Sequence, residues 1–118
     1  MAAQIRDAGG EALPPAVGIR DAEQLAEAVK ATARTFGGID ILVNNASALF
    51  LADTASTPMK RFDLMFDINV RGTYAAPPAA LPHLTKAANP HILTLSPPLQ
   101  LDQQWFADHC AHTVSNTE

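Results

Sequence analysis

Apolar residues recur along the chain at the spacing of amphipathic helices and, between them, in short runs typical of buried strands. Residues 22–36 show the clearest helical pattern. Asp21 can cap the first amides of this helix, Gln24 can reach back to Asp21, and Gly37-Gly38 ends it. The apolar face of the predicted helix consists of Leu25, Ala26, Val29, Ala33 and Phe36.

Three apolar runs predict strands. Residues 39–46, "IDILVNNA", are expected to form a parallel strand that is buried on both faces, and residues 91–96, "HILTLS", a second one. Residues 11–19, "EALPPAVGI", also have the length of a strand. Pro14 and Pro15 cannot donate ladder hydrogen bonds, so this strand is expected at an edge or with a late start.

The remaining segments predict helices. Residues 2–8 form a short helix closed by Gly9-Gly10, and they resemble the tail of a longer element. A helix over 58–76 carries a wide apolar stripe with one polar residue, Asn69, inside it. Pro77-Pro78 is expected to interrupt that helix, since an interior proline costs about 3 kcal/mol. A last amphipathic stretch begins near Asp102, with Trp105 and Phe106 as anchors.

The order helix, strand, helix, strand, helix, strand, helix predicts an α/β fold with a parallel sheet flanked by helices. At 118 residues the chain is of single-domain length. A formal charge of −4 with interspersed signs argues against partners such as nucleic acid or an anionic membrane. No run is long enough to span a bilayer and no signal peptide is evident. The single cysteine, Cys110, favours a reducing cytoplasm.

Polar side chains stand where two predicted strands end. Asn44 and Asn45 close the first strand, and Ser96 closes the second. Ligands of open parallel sheets bind beyond the carboxyl ends of the strands, so these groups are candidates for a binding site. Asn44 can tie one strand end to the next, because an amide both donates and accepts hydrogen bonds. The alternative is that the two amides merely end a strand in a turn.

These motifs resemble the short-chain dehydrogenase/reductase family. "GGIDILVNNAS" is similar to the family's Asn-Asn-Ala-Gly strand end, with Ser47 in place of glycine as in one subgroup. It is followed by "DINVRGTY" in a helix and "HILTLSPPL" in a strand, in the family's order, and "TPMKRFDLM", "WF" and "HCA" fit the same subgroup. The resemblance implies a Rossmann-type doubly wound sheet and an NAD or NADP cofactor.

The resemblance also assigns roles to individual residues. Asn45, Ala46 and Ser47 would lie against the cofactor. Asn69 matches the helical asparagine that holds a proton-relay water, and Ser96 matches the serine that hydrogen-bonds the carbonyl of a small carbonyl or alcohol substrate. Two alternatives stay open: Asn69 as an amide satisfied by carbonyls of its own helix, and Ser96 as a hydroxyl that caps the following turn.

Several positions depart from the family pattern. The catalytic tyrosine and lysine positions hold His112 and Asn116, and the strand-end aspartate that contacts adenine is Gly18. The first strands and the glycine-rich turn of the nucleotide-binding domain are not in residues 1–118, so an incomplete Rossmann-type sheet is expected. Such a piece should expose strand edges and apolar helix faces.

Two functions, and the absence of any function, are compatible with this pattern. The first is an NAD(P)-dependent oxidoreductase of which this chain is a portion or a degenerate copy, expected to be inactive alone. A homo-oligomer is compatible with this function, as is a location in peroxisomes or mitochondria in a eukaryote. The second is a non-catalytic module that pairs with a full-length relative through the 58–76 helix, and the third possibility is a decayed reading frame without function. A metal site is not predicted, because His109 and His112 lack an accompanying carboxylate and the histidines fall on separate elements.

Overall fold

A pair of parallel strands and a set of helices make up the computed structural model, which describes residues 1–96. The predicted helix after Asp102, together with His112 and Asn116, lies outside these residues. The helices are α1 (Ala2–Asp7), α2 (Ala22–Phe36), α3 (Met59–Phe66) and α4 (Thr73–Leu84), and a π-helical turn (Asp67–Gly72) joins the last two. The strands are β1 (Ile41–Asn44) and β2 (His91–Thr94).

β1 and β2 pair in parallel, as their apolar runs predicted. Ile41 lies opposite His91 and Asn44 lies opposite Thr94. The N–H of Leu95 donates to the carbonyl of Asn44 at 3.0 Å and extends the ladder by one bond. The helical segment from α3 to α4 connects the two strands, so both strands end at the same edge of the sheet.

The core lies between α2, α4 and one face of the sheet. Val29 of α2 packs with Ala80 and Leu84 of α4, and Leu42 of β1 packs against this cluster. Ala76, Ala80 and Leu84 are four residues apart, so they fall on one helical face. Because two of them are alanines, the backbone of α4 can approach the sheet closely.

No element within residues 1–96 covers the other face of the sheet. This corrects the expectation that the strands are buried on both faces. Ile41, Val43 and Leu93 are 54%, 51% and 49% exposed. Side chains alternate between the two faces of a strand, so these residues point away from Leu42 and Asn44. The helix that packs against both strands, α4, covers only the face to which Leu42 belongs.

Residues 11–19 do not form a strand, and that prediction was wrong. The chain from Gly10 to Gly18 has no regular structure. A strand requires a ladder partner, and within residues 1–96 the sheet contains only β1 and β2. Pro14 and Pro15 also remove two of the N–H groups that a neighbouring strand would need.

The local signals at the ends of α2 are confirmed. The Asp21 carboxylate accepts hydrogen bonds from the amides of Glu23 and Gln24, both at 3.0 Å. The Gln24 amide returns a bond to Asp21 at 2.8 Å. Gly37 adopts the left-handed conformation at φ 87°, which glycine tolerates without a side-chain clash, and the helix stops there.

The predicted interruption at Pro77-Pro78 does not occur, because α4 runs through both residues and through Pro82. A helical proline frees the carbonyl four residues earlier. Pro77 frees the carbonyl of Thr73, Pro78 that of Tyr74, and Pro82 that of Pro78. Tyr74 and Pro78 are exposed, so water can reach that side of α4, whereas Thr73 is half-buried. Burial of the opposite face then outweighs the lost hydrogen bonds.

Candidate functional site

The carboxyl edge of the sheet is closed by a side-chain bond between the two strands. Asn44 is 7% exposed, and its Nδ2 donates to Thr94 Oγ1 at 3.2 Å. The two residues are ladder partners, so their side chains leave the same face of the sheet. The hypothesis that Asn44 ties one strand end to the next is confirmed.

Asn69 holds the loop that follows β1. Its Oδ1 accepts a hydrogen bond from the N–H of Ala48 at 2.8 Å, and its Nδ2 donates to the carbonyl of Ala48 at 3.0 Å. The amide thus binds both backbone groups of one residue, as a neighbouring strand would. Carbonyls of its own helix do not account for these two bonds. Asn69 is 6% exposed, so the loop is anchored at a buried point.

The π-helical turn that carries Asn69 also contacts the segment before α2. Asp67 Oδ1 lies 3.3 Å from Arg71 Nε, and Asp67 Oδ2 lies 3.9 Å from Arg20 Nη1. These ion pairs are exposed and contribute little to stability. Gly72, which ends the turn, packs against the side chain of Ile19. π-helical turns are frequent at functional sites, and this one touches both loops at the carboxyl edge.

A cavity of about 360 Å³ opens beside these groups, between the sheet and α4. Its polar lining comes from side-chain amides and hydroxyls, and its lining contains no Asp, Glu, Lys, Arg or His. Such a neutral cavity with a few hydrogen-bonding groups suits a flat, partly polar ligand. The residues that line it are Asn44, Asn69, Val70, Thr73, Tyr74, Pro77, Ile92 and Thr94.

The residues proposed to lie against a cofactor are exposed. Asn45, Ala46 and Ser47 directly follow β1 and are exposed, with no large side chain at Ala46 or Ser47. Ser96 is exposed as well and follows Thr94 by two residues. All four therefore lie just beyond the carboxyl ends of the strands, the position at which ligands of open parallel sheets bind.

Sequence reasoning missed several residues of this region. Thr73 and Pro77 line the cavity together with Asn69, and their spacing of four residues was a signal for one shared helical face. Thr94, the partner of Asn44, was also detectable, because both residues end their strands. Ala48 gave no signal, since it contributes only its backbone.

Asp53, in the loop after β1, and Glu27, on α2, are carboxyl groups with lowered pKa values, and neither lines the cavity. The Ser56 hydroxyl donates to Asp53 Oδ1 at 2.5 Å and the Ser56 N–H at 2.6 Å, and these bonds hold the pKa of Asp53 below its ordinary value. On α2, the Lys30 ammonium hydrogen-bonds Glu27 at 2.7 Å and lowers the pKa of that carboxyl.

Residues 1–96 contain neither a cluster of metal ligands nor a helix that could cross a membrane. In this part of the chain, no three His, Cys, Asp or Glu side chains come together in an arrangement that could hold a metal ion. No helix in the same residues combines the length and the apolar character that crossing a membrane requires.

Comparison with known proteins reveals close relatives. Hydroxysteroid dehydrogenase-like protein 2 from Danio rerio is 55% identical over 114 residues, which are 97% of this chain and 28% of the relative. The chain therefore spans little more than a quarter of that protein's length. The structure of a short chain dehydrogenase from Mycobacterium thermoresistibile matches with a TM-score of 0.88 at 49% identity. The match covers 98% of this chain and 41% of that one.

A second solved structure was determined with a cofactor. It is a short chain dehydrogenase from Burkholderia cenocepacia in complex with NADP, with a TM-score of 0.86 at 26% identity. The match covers 98% of this chain and 46% of that one. The family model for short chain dehydrogenases matches residues 1–102. The parallel strands, the helices that flank them and these matches agree, and the chain belongs to the short chain dehydrogenase family.

Proposed function

We propose that this chain is a portion of an NAD(P)-dependent oxidoreductase that transfers hydride between a nicotinamide cofactor and a small carbonyl or alcohol. The family membership supports the reaction class. That a relative of similar fold binds NADP supports the cofactor. The bound cofactor would supply the hydride. The residues of this chain would form one wall of its site and hold the substrate.

The observation that carries the proposal is the anchoring of the open loop 45–48. Asn69 binds both backbone groups of Ala48, so the segment just after β1 has a defined path. Asn45, Ala46 and Ser47 are exposed residues with small or short side chains. A flat ring can approach such a segment closely. These residues fit the nicotinamide side of the cofactor.

Ser96 is proposed to bind the substrate oxygen. Reduction of a carbonyl builds negative charge on oxygen, and a fixed hydroxyl donor stabilises that charge. Ser96 lies at the same sheet edge as the loop 45–48, where it can meet a substrate beside the cofactor. Asn69, by resemblance, would help to hold the water through which a proton passes.

We further propose that the chain alone is inactive. His112 and Asn116 stand where the family has its tyrosine and lysine. Imidazole is shorter than a phenol, and Asn116 offers no positive charge to lower the pKa of a proton donor. A positioned acid or base contributes roughly 10²–10⁴ in rate. Residues 1–118 also contain no glycine-rich turn that could hold a pyrophosphate, so these residues by themselves should bind the cofactor weakly.

The test is titration of the purified chain with NADPH and NADH, followed by fluorescence, together with a carbonyl-reduction assay. We expect weak, saturable binding and no turnover. The variant H112Y/N116K should gain turnover, and adding Ser96→Ala should abolish that gain. Ser56→Ala, on an exposed loop, is the matched control and should leave the gain intact. Turnover by the unmodified chain would contradict the proposed inactivity, and absence of binding at millimolar NADPH would contradict the cofactor wall.

A second candidate is a non-catalytic module that pairs with a full-length relative. Two large side chains of the helical segment between the strands, Met59 and Tyr74, are 66% and 79% exposed. Such exposed apolar surface favours association with another protein. Co-purification of the chain with a full-length family member, in the absence of NADPH binding, would favour this function. Met59→Ser and Tyr74→Ser should weaken that association without unfolding the chain.

A further inference from the structure

Gly72 makes a contact that no larger residue could make. A methyl group added at its Cα would lie 2.8 Å from Ile19 Cγ1 and 3.2 Å from Ile19 Cδ1. Carbon atoms of neighbouring side chains pack at about 3.5–4.0 Å. Ile19 therefore occupies the space that any side chain at position 72 would need.

The backbone of Gly72 does not itself require glycine. Its φ of −62° and ψ of −44° are ordinary helical values. In a helix interior, alanine is favoured over glycine, because glycine loses more backbone freedom on folding. Ile19 is β-branched and stiff at its first side-chain torsion, so its Cγ1 cannot easily swing away. It is thus the neighbour, and not the local conformation, that calls for glycine here.

The π-helical turn therefore braces two loops at once. At its C-terminal end, Gly72 packs against the side chain of Ile19, which belongs to the segment before α2. In its middle, Asn69 binds Ala48 of the loop after β1. α2 ends where β1 begins, and hence the start of α2 lies at the same sheet edge as the end of β1. Gly18 and Arg20 line an open cavity of about 640 Å³ there.

We infer that Gly72 is a positioning residue: through Ile19 it sets where the segment 18–20 stands relative to the loop 45–48, and so sets the span of the cleft between them. This inference rests on the proposed function, because a dinucleotide bound along the carboxyl edge of the sheet would contact both loops. The contact itself can be tested without any cofactor.

Two backbone amides report on the two sides of the brace. The Ala48 N–H donates to Asn69 Oδ1, and the Gly18 N–H donates to Gln24 Oε1 at 3.1 Å. Their hydrogen-exchange rates can be measured by NMR in the full chain. A clash introduced by Gly72→Ala should speed exchange at both amides by about tenfold. Ile19→Ala, which leaves a gap in place of the contact, should act in the same direction.

The double variant I19A/G72A provides the decisive comparison. Its added methyl group fills the gap left by Ile19, so both amides should exchange at rates closer to wild type than in either single variant. Gly38→Ala is the matched control, because a methyl group there meets nothing within 4 Å. It should change neither rate.

The outcomes separate this inference from the proposed function. If Gly18 responds to both single variants while Ala48 does not, the loops are not coupled and the inference is overturned. Should Gly72→Ala fail to fold, Ile19→Ala alone decides, since it introduces no clash. Millimolar NADPH should slow exchange at Ala48 in the wild type. If it does not, the proposed cofactor wall is contradicted. The positioning role of Gly72 is tested separately, by the exchange rates in the Gly72 and Ile19 variants.

Discussion

Asn69 and Ala48 are joined by two hydrogen bonds, at 2.8 and 3.0 Å, although they are separated by 21 residues. The pair orients the Asn69 amide, because Oδ1 must face an N–H and Nδ2 must face a carbonyl. An asparagine inside an otherwise apolar helical stripe therefore serves a loop on a different element. The arrangement links the π-helical turn to the segment that is proposed to lie against a cofactor.

Replacing Asn69 should destabilise the chain. Asn69→Ala leaves the N–H and the carbonyl of Ala48 without these partners, which should cost about 2 kcal/mol of unfolding free energy. Urea unfolding followed by circular dichroism measures the effect. Asn45→Ala, at an exposed site, is the control and should change stability by less than about 0.5 kcal/mol. Equal effects of the two variants would show that the Ala48 contact contributes nothing.

The bond between Asn44 and Thr94 should appear as a coupling energy. Thr94→Val removes the acceptor of Asn44 Nδ2, and Asn44→Ala removes the donor. In a double-mutant cycle we expect the two changes to be non-additive by about 1 kcal/mol. Thr54→Val, on an exposed turn, combined with Asn44→Ala should be additive. Additivity of the first pair would mean that the bond does not stabilise the sheet edge.

Leu84 and Leu81 of α4 make a matched pair for testing the core. Leu84 is 2% exposed and Leu81 is 52% exposed. Leu84→Ala should lower the unfolding free energy by about 3 kcal/mol, because it opens a cavity against Val29. Leu81→Ala should change it by less than about 0.5 kcal/mol. A large loss of unfolding free energy in Leu81→Ala with none in Leu84→Ala would show that the core lies on the Leu81 side of α4.

The turn around Asp53 should respond to acid. Its pKa is lowered by the side-chain bond and then by the backbone bond from Ser56. Because the pKa of Asp53 is lower in the folded state than in the unfolded state, its carboxylate stabilises the fold at pH values above the unfolded-state pKa. This contribution is lost as the pH falls through the folded-state pKa. NMR titration of the carboxyl carbon should therefore show a midpoint below the ordinary range for aspartate.

Ser56→Ala removes the hydroxyl bond and should move the Asp53 midpoint upward, toward its ordinary pKa. Thr54→Val, one residue from Asp53, is the control and should leave the midpoint in place. An unchanged midpoint in Ser56→Ala would show that the hydroxyl is not the cause of the shift.

Much of the architecture could be predicted from local signals. The ends of α2 depend on Asp21 and Gly37, which act within a few residues of themselves. The pairing of two apolar strands with a helical crossover follows from their order along the chain. The family could also be identified, since "ILVNNAS" and "DINVRGTY" keep their residue types and order. The roles of Asn45, Ala46, Ser47 and Ser96 remain predictions.

What only the tertiary structure decided concerns contacts between distant segments. The apolar pattern of 11–19 did not reveal that no ladder partner lies beside it in residues 1–96. The prolines of α4 did not reveal that the helix would run through them with one face buried against the core. Asn69 and Gly72 needed Ala48 and Ile19, which lie 21 and 53 residues away in the sequence. Helix caps and turns are short-range, whereas burial, ladder pairing and steric fit depend on which elements the fold brings together.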